Sequence, residues 1–256
     1  MTRIIGIVSG KGGVGKTTVA SNLGIALSKL NKKVIIIDCN ITSPHLAYYL
    51  GVKNYSITLN DVLRNEVDIR FAPIYQNGVM FIPCSKELKD VIKVEINGLK
   101  KYIERLSQIE EYDFILLDSA PGLGKDAISV LKASEEIIFV TTPTIPNVYD
   151  MTRCAEFASQ LGQKKFHIIL NMVRNKKFEL RKEVAEDFFG VPVLGTIPFD
   201  ENLMDSAAQG IPIILYKPYS KASISFMKIA SKLTGIGSRT SFLSNILSLF
   251  KKITPL

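Results

Sequence analysis

Cysteine is scarce in this chain and its placement is uninformative as a framework. The 256 residues hold three cysteines: Cys39, Cys84 and Cys154 lie far apart, with no C-x-x-C pair. That argues against a disulfide scaffold and against a zinc or iron–sulfur site built within one chain, and it fits a reduced, cytoplasmic setting. Long apolar runs are also missing. None approaches the ~18 residues that a membrane-spanning helix needs. No signal peptide is expected, because the first apolar run, "IIGIV", passes straight into a Gly-rich loop. Internal repeats and low-complexity stretches are absent.

What is present is apolar enough to bury a sizeable core, with 46% hydrophobic residues in a length that suits one large α/β domain or two small ones. The net charge is +8. Such a surface attracts anionic partners, whether nucleic acid, acidic lipid headgroups or nucleotides, without choosing among them.

Along the chain, strand and helix signals alternate. "RIIGIVSG" (3–10) is a β-rich run ending in glycine. From Thr17 to Leu30, Val19, Leu23, Ala26, Leu27 and Leu30 recur at helical spacing. "KKVIIID" (32–38) is the Ile-rich signature of a strand buried on both faces. "NGVMFIPC" (77–84), "YDFILLD" (112–118), "EIIFVTTP" (136–143), "KFHIILN" (165–171) and "VPVLGTIP" (191–198) read as further strands, and "LKKYIERLSQI" (99–109) as a helix. This alternation predicts a mainly parallel sheet covered by helices on both faces. "SKLTGIGSRTS" (231–241) carries two glycines and several small polar residues and reads as a linker.

Gly10-Lys11-Gly12-Gly13-Val14-Gly15-Lys16-Thr17 satisfies G-x-x-x-x-G-K-[ST] between a predicted strand and a predicted helix. Glycines let backbone N–H groups converge on phosphates, and the helix N-terminus adds a positive dipole end. Lys16 is placed to neutralise β/γ oxygens, and Thr17 to offer its hydroxyl to Mg²⁺. Thr18 follows directly as a further nucleotide-side residue. A metal carboxylate is expected at the end of a neighbouring strand, and two positions qualify: Asp38 after "VIII" and Asp118 after "FILL". Each is also a residue type that caps a turn.

"SGKGGVGKTT", "VIIID", "FILLDSAPGLG" and "NMVR…TIPFDENL" together resemble the deviant Walker A ATPases of the MinD/ParA group, with MinD the nearest sub-family, over about residues 2–233. The resemblance implies a P-loop NTPase α/β fold with ATP and Mg²⁺ as cofactors. It also implies a homodimer that forms around ATP. Lys11 would be the signature lysine, reaching the partner's phosphates while Lys16 serves its own. Asp118 would bind Mg²⁺ through water, and "DSAPG" (118–122) would sense the γ-phosphate. Asn171, Pro198 and Asp200 would line the adenine, with Arg174 stacking on or flanking it. An Asn amide offers both donor and acceptor to a purine edge.

Two positions depart from the family pattern. Where a second carboxylate is usual after Asp38, this chain has "DCN", so Asn40 stands at the position thought to orient the attacking water. Asn hydrogen-bonds water but takes no proton, which implies slow turnover. His45, in "PHL", stands where Asn is common and reads as a surface residue of that loop.

Residues 242–256, "FLSNILSLFKKITPL", form a strongly amphipathic pattern. At about 100° per residue, Phe242, Leu243, Ile246, Leu247, Leu249, Phe250 and Ile253 fall within an arc of roughly 160°. Thirteen residues make about 20 Å, too short to cross a ~30 Å hydrocarbon core. Lys251 and Lys252 flank the polar side. An ordinary packed C-terminal helix gives the same pattern, but the linker and the resemblance favour an interfacial helix on anionic membrane. The organisation expected is thus an ATPase domain over 1–234, a linker over 235–241 and a membrane-targeting helix over 242–256. The protein would lie peripherally on the inner face of the cell membrane.

Other readings remain. A ParA-like partition ATPase would bind DNA through basic stretches such as "RNKKFELRK" (174–182). A Mrp-like iron–sulfur carrier usually has a C-x-x-C that this chain lacks. A biosynthetic ligase can share the same loop. The helix after "TTPTIPNVYDMTR" (141–153) is where the family would seat an activating protein, with Asp150 and Arg153 as candidate contacts.

Overall fold

The computed structural model describes residues 1–87, 89–90, 96–162 and 165–235. The chain runs β1 (Arg3–Val8), α1 (Lys16–Lys29), β2 (Val34–Cys39), α2 (Leu46–Tyr49) and α3 (Leu59–Leu63), then a hairpin of β3 (Ile74–Gln76) and β4 (Val79–Ile82). After α4 (Leu99–Ile109) come β5 (Phe114–Ser119), α5 (Lys125–Ala133), β6 (Glu136–Thr141) and α6 (Ile145–Gln160). Then follow β7 (Phe166–Val173), α7 (Lys182–Phe189), β8 (Val193–Pro198), α8 (Glu201–Ala208), α9 (Ile213–Tyr216) and α10 (Lys221–Thr234).

The strands form one eight-stranded sheet in the order β3-β4-β2-β5-β1-β6-β7-β8. All pairs are parallel except the β3–β4 hairpin. Runs such as "VIIIDC" and "FILLDS" are buried at every position, because helices cover both faces and a parallel sheet needs that cover. One core cluster joins Ile35, Leu117, Phe139 and Ile168 to α4, α5 and α6. The other joins Ile36, Phe81 and Ile138 to α1 and α10. This is the mainly parallel, helix-covered sheet that the alternating pattern predicts, and the α/β architecture that the resemblance implies.

Two boundaries need correction. The run read as a strand over 77–84 begins with a turn: Asn77 and Gly78 have φ of 54° and 87°, the conformation that an Asn-Gly hairpin turn requires. The strand proper is β4, and the turn pairs it with β3, which the sequence reading did not include. The segment read as a linker from 231 is helical to Thr234, and Gly235 ends α10 in the left-handed conformation at φ 69°, as a helix C-terminus favours. The amphipathic segment 242–256 and the linker residues beyond Gly235 lie outside the described residues.

At the N-terminal edge of the sheet sits an ion cluster around one buried carboxylate. Glu136 opens β6, and its side chain is 5% exposed. Arg3 Nε and Nη2 donate to its two oxygens at 2.7 Å each. Lys165 Nζ lies 2.7 Å away and His167 Nε2 3.4 Å away. Arg3 also donates to the carbonyl of Leu233 near the end of α10. The cluster therefore ties β1, β6 and β7 to the last helix. Burial alone would push the Glu136 pKa up, but the contacts from His167, Arg3 and Lys165 outweigh it and hold the carboxyl well below the usual range.

A carboxylate with a depressed folded-state pKa stabilises fully above its unfolded value and loses that contribution as pH falls through the folded one. Glu136→Gln is expected to cost about 2 kcal/mol at pH 7, since Arg3 then faces a neutral amide. The gap between wild type and variant should shrink as pH drops below about 4.5, the ordinary Glu value. Urea melts at pH 7 and pH 3.5 check both the cost and its direction.

Candidate functional site

The loop between β1 and α1 sits at the C-terminal edge of the sheet, where open α/β sheets bind ligands. Lys16 starts α1 and is 8% exposed. Its ammonium donates to Ser9 Oγ at 2.8 Å, and Ser9 Oγ donates to the Lys11 carbonyl at 2.7 Å. Burial lowers the Lys16 pKa, while Asp118 and Cys154 oppose that shift. Lys11 is exposed, and its ammonium has no hydrogen bond or ion pair among the described residues. Two lysines five positions apart in one loop thus differ in environment. Lys16 is buried and bonded to Ser9, and Lys11 is exposed.

Gly15 must be glycine on two counts. Its φ is +90°, and a Cβ there would lie 2.4 Å from Asn171 Nδ2. Asn171 is 3% exposed and donates to the Val14 carbonyl at 2.8 Å. This packs the end of β7 directly against the Gly-rich loop and leaves the Asn171 amide oxygen as an acceptor. Asn171 reaches this place through a β-bulge: the β7–β8 register slips between Leu170 and Val173, with Met172 at φ 57°. Bulges beside binding sites re-aim a side chain in this way.

Asp38 and Asp118 face each other in register on β2 and β5, and each is 1% exposed. Asp38 accepts from the backbone N–H of Asn40 and of Leu46, both at 3.1 Å. Burial first, and the neighbouring Asp118 second, push its pKa far up. Burial also raises Asp118, against pulls from the Thr17 hydroxyl, Lys16 and His45. One oxygen of Asp118, Oδ1, is buried with no hydrogen-bond partner. An orphaned carboxylate oxygen beside Thr17 and Lys16 fits a hard divalent cation such as Mg²⁺, which takes one or two carboxylates together with phosphate oxygens and water. The residues that would hold it are Asp118 and Thr17, with Asp38 alongside. The 118–122 loop is fastened next to them, because Gly122 N–H donates to the Ser9 carbonyl at 2.9 Å.

Asn40 is engaged with its own loop. Its Nδ2 donates to the Ser43 carbonyl at 2.7 Å, and its Oδ1 accepts from the Ser43 N–H at 3.3 Å. Both polar atoms of the amide therefore close the 40–43 turn. His45 is exposed and lies 2.8 Å from the same carbonyl through Nδ1.

Beside the Gly-rich loop lies a cavity of about 160 Å³ whose lining includes Thr18, Asn171, Pro198 and Asp200, four of the residues that the sequence points to. The sequence reading missed Tyr49, Met172, Phe199, Leu203, Met204 and Ala207, which also line it. Phe199 and Leu203 belong to the quoted "TIPFDENL" stretch and could have been found there. Tyr49 and Met204 carry no local signal. Arg174 does not line the cavity; its guanidinium lies 3.9 Å from the Phe199 ring centroid, on a residue that does. Asp200 caps α8, accepting from Asn202 N–H at 3.1 Å and from Ala222 N–H at 3.3 Å, so its carboxylate already fastens α8 to α10. Gly10 packs against the backbone of Asp150 in α6. Gly12 and Gly13 are exposed, whereas Val14 is buried.

Known proteins resemble this chain in sequence and fold. The ParA family model, described as NUBPL iron-transfer P-loop NTPase, matches residues 1–234. An uncharacterised ATP-binding protein of Methanocaldococcus jannaschii is 33% identical, over 92% of this chain and 89% of its own length. The septum site-determining protein MinD of Pyrococcus horikoshii, solved with Mg-ADP, is 36% identical with a TM-score of 0.87, covering 91% of this chain and 96% of that one. A MinC:MinD cell division complex from Aquifex aeolicus contains a chain 28% identical with a TM-score of 0.83, covering 91% and 96%.

Gly15→Ala is expected to remove nucleotide binding at modest cost to the fold. The strained φ costs about 1–3 kcal/mol, while the new Cβ drives Asn171 away from the loop. Calorimetric titration with Mg-ADP should show at least tenfold weaker binding, with a melting curve that remains cooperative.

Proposed function

The chain belongs to the ParA family of P-loop NTPases and is a MinD-like ATP hydrolase, and on that premise we propose that it is an ATP-gated membrane switch. It pairs with a second copy when loaded with ATP and holds reversibly to anionic membrane. It thereby serves spatial positioning such as division-site placement. The observation that carries this reading is the contrast within one loop: Lys16 is buried and bonded to Ser9, while Lys11 is exposed without a partner among the described residues. A free lysine beside a phosphate loop is placed to act on the triphosphate of a second copy, as a finger supplied in trans does.

In this reading the Gly10–Thr17 loop and Lys16 hold the phosphates, and the cavity along Thr18, Asn171 and Pro198 receives the adenine. Arg174 backs that cavity through Phe199. Thr17 and Asp118, with Asp38 alongside, would hold Mg²⁺, which would supply positive charge against the phosphates. Asn40 exchanges Ser43 for the attacking water, so hydrolysis requires the 40–43 turn to open. That requirement, and an amide that takes no proton, make turnover slow and the ATP-bound pair long-lived.

Residues 242–253 attach the pair to lipid. One short amphipathic helix binds weakly and reversibly. Two on one dimer bind with avidity, because the second lands at high effective concentration. No helix among the described residues is long and apolar enough to cross a membrane. An activating protein would dock on α6, where Arg153 is exposed and Asp150 packs on Gly10, so its arrival would be felt at the phosphate loop.

The iron-transfer description of the family model names a second reading. The cysteines weigh against it. All three are buried, burial pushes their thiols up, and Cys84 Sγ donates to the Asp38 carbonyl at 2.9 Å. Iron–sulfur ligation calls for accessible thiolates.

Co-sedimentation with anionic liposomes tests the switch. Pelleting is expected with Mg-ATP, with little in Mg-ADP and none after deletion of 242–256. Equal pelleting in both nucleotide states contradicts the coupling, and a salt-sensitive DNA shift without pelleting favours the DNA-binding alternative. Separately, Asn40→Asp loses the donor to the Ser43 carbonyl and gains a proton acceptor. Its single-turnover hydrolysis should rise about tenfold or more; an unchanged rate shows that Asn40 does not limit the step.

A further inference from the structure

The cavity of about 160 Å³ beside the Gly-rich loop is lined almost wholly by three stretches: Thr18 from α1, Asn171 and Met172 from the β7 bulge, and the β8–α8 segment from Pro198 to Ala207. One lining residue comes from elsewhere. Tyr49, at the end of α2, contributes the wall on the β2 side.

Tyr49 is held at that wall by its surroundings. The neighbouring Tyr48 ring meets it edge-on, with centroids 6.1 Å apart and an interplanar angle of 83°. Tyr48 Oη donates to the Ala208 carbonyl at 3.1 Å. Just beyond, Gly51 (φ +76°) and Gly210 (φ +65°) pack backbone on backbone. A Cβ on Gly51 would lie 2.6 Å from the Gly210 carbonyl oxygen, and one on Gly210 would lie 2.8 Å from that of Tyr48. Asn77 Nδ2 also donates to the Leu50 carbonyl at 3.0 Å. At its other end α2 is fastened to the site's chemistry, where Leu46 N–H donates to Asp38 Oδ2 at 3.1 Å. Tyr49 is thus a half-buried aromatic residue with a fixed backbone, lining a cavity whose other walls include the apolar Met172, Phe199, Leu203 and Met204.

We propose that Tyr49 is a nucleobase-contacting residue, supplying an aromatic wall for the purine of the bound nucleotide from the segment that also carries Asp38 and Asn40. The proposal rests on the reading of this cavity as the adenine site. Its consequence is that one short helix touches both ends of the nucleotide site: Asp38 through Leu46, and the base through Tyr49. The ring is the working part. Tyr49→Phe keeps the wall and Tyr49→Ala removes it.

The test separates base from phosphate by titrating Mg-ATP and Mg-tripolyphosphate calorimetrically into wild type, Tyr49→Ala, Tyr49→Phe and Asn171→Ala. Tyr49→Ala is expected to weaken ATP about tenfold, the usual size of a lost base–aromatic contact, and to leave tripolyphosphate, which has no base, unchanged. Tyr49→Phe should bind both ligands within about twofold of wild type. Equal losses on both ligands in Tyr49→Ala would mean general damage to the site and overturn the proposal. A loss of ATP binding in Asn171→Ala with none in Tyr49→Ala overturns the proposal but keeps the cavity as the base site. Wild-type ATP affinity in both variants overturns the reading of the cavity itself.

Discussion

Two carboxylates stand side by side at the buried edge of the sheet, and the rest of the site is arranged around that fact. Asp38 and Asp118 are directly paired in register on β2 and β5, each removed from water. Like charges so placed cannot both ionise without a compensating cation. The domain supplies part of the compensation: Lys16 lies beside Asp118, and two backbone N–H groups close on Asp38. The remainder is an open valence on Asp118 Oδ1. A site whose own groups leave a buried carboxylate oxygen without a partner is one that gains from a divalent cation, and a phosphate-bearing ligand brings such a cation with it.

The segments around this pair are fastened to one another rather than merely adjacent. The Gly-rich loop is joined to β7 through Asn171 and Val14, and to the 118–122 loop through Ser9 and Gly122. The turn after β2 is closed by Asn40 on Ser43. The helix that follows is pressed against α8 through Gly51 and Gly210. The Gly-rich loop thus touches both the cavity, through Asn171, and α6, through Gly10 and Asp150. Lys11 alone among the loop's charged groups is left out of these bonds, which is why the reading of the protein as half of a pair turns on it.

Much of this was legible in the sequence, for physical reasons. Ile-rich runs bounded by turn residues gave the buried strands, and the strand–glycine–helix context identified the phosphate loop. The two Asp residues stood at strand ends, where a parallel sheet presents its C-terminal edge. What escaped was what depends on tertiary contact. Met172 in a left-handed conformation breaks the ordinary preference of its side chain, and no local pattern announces the bulge it creates. Tyr49 is distant in sequence from the cavity that it walls. The engagement of Asn40 with Ser43 follows from a turn geometry that several residue types could have closed. The β3–β4 hairpin, by contrast, did have a signal in Asn77-Gly78, inside a stretch read as continuous strand.

The claim on which all of this rests is that the buried pair of carboxylates is built to receive a metal-bearing nucleotide. The most direct measurement is the affinity for ADP with and without Mg²⁺, in the wild-type protein and in Asp118→Asn. Removal of Mg²⁺ should weaken ADP binding by at least about tenfold in the wild type, roughly 1.4 kcal/mol, and should change it little in the variant. The same affinity with and without the metal, or an equal dependence in both proteins, would contradict it.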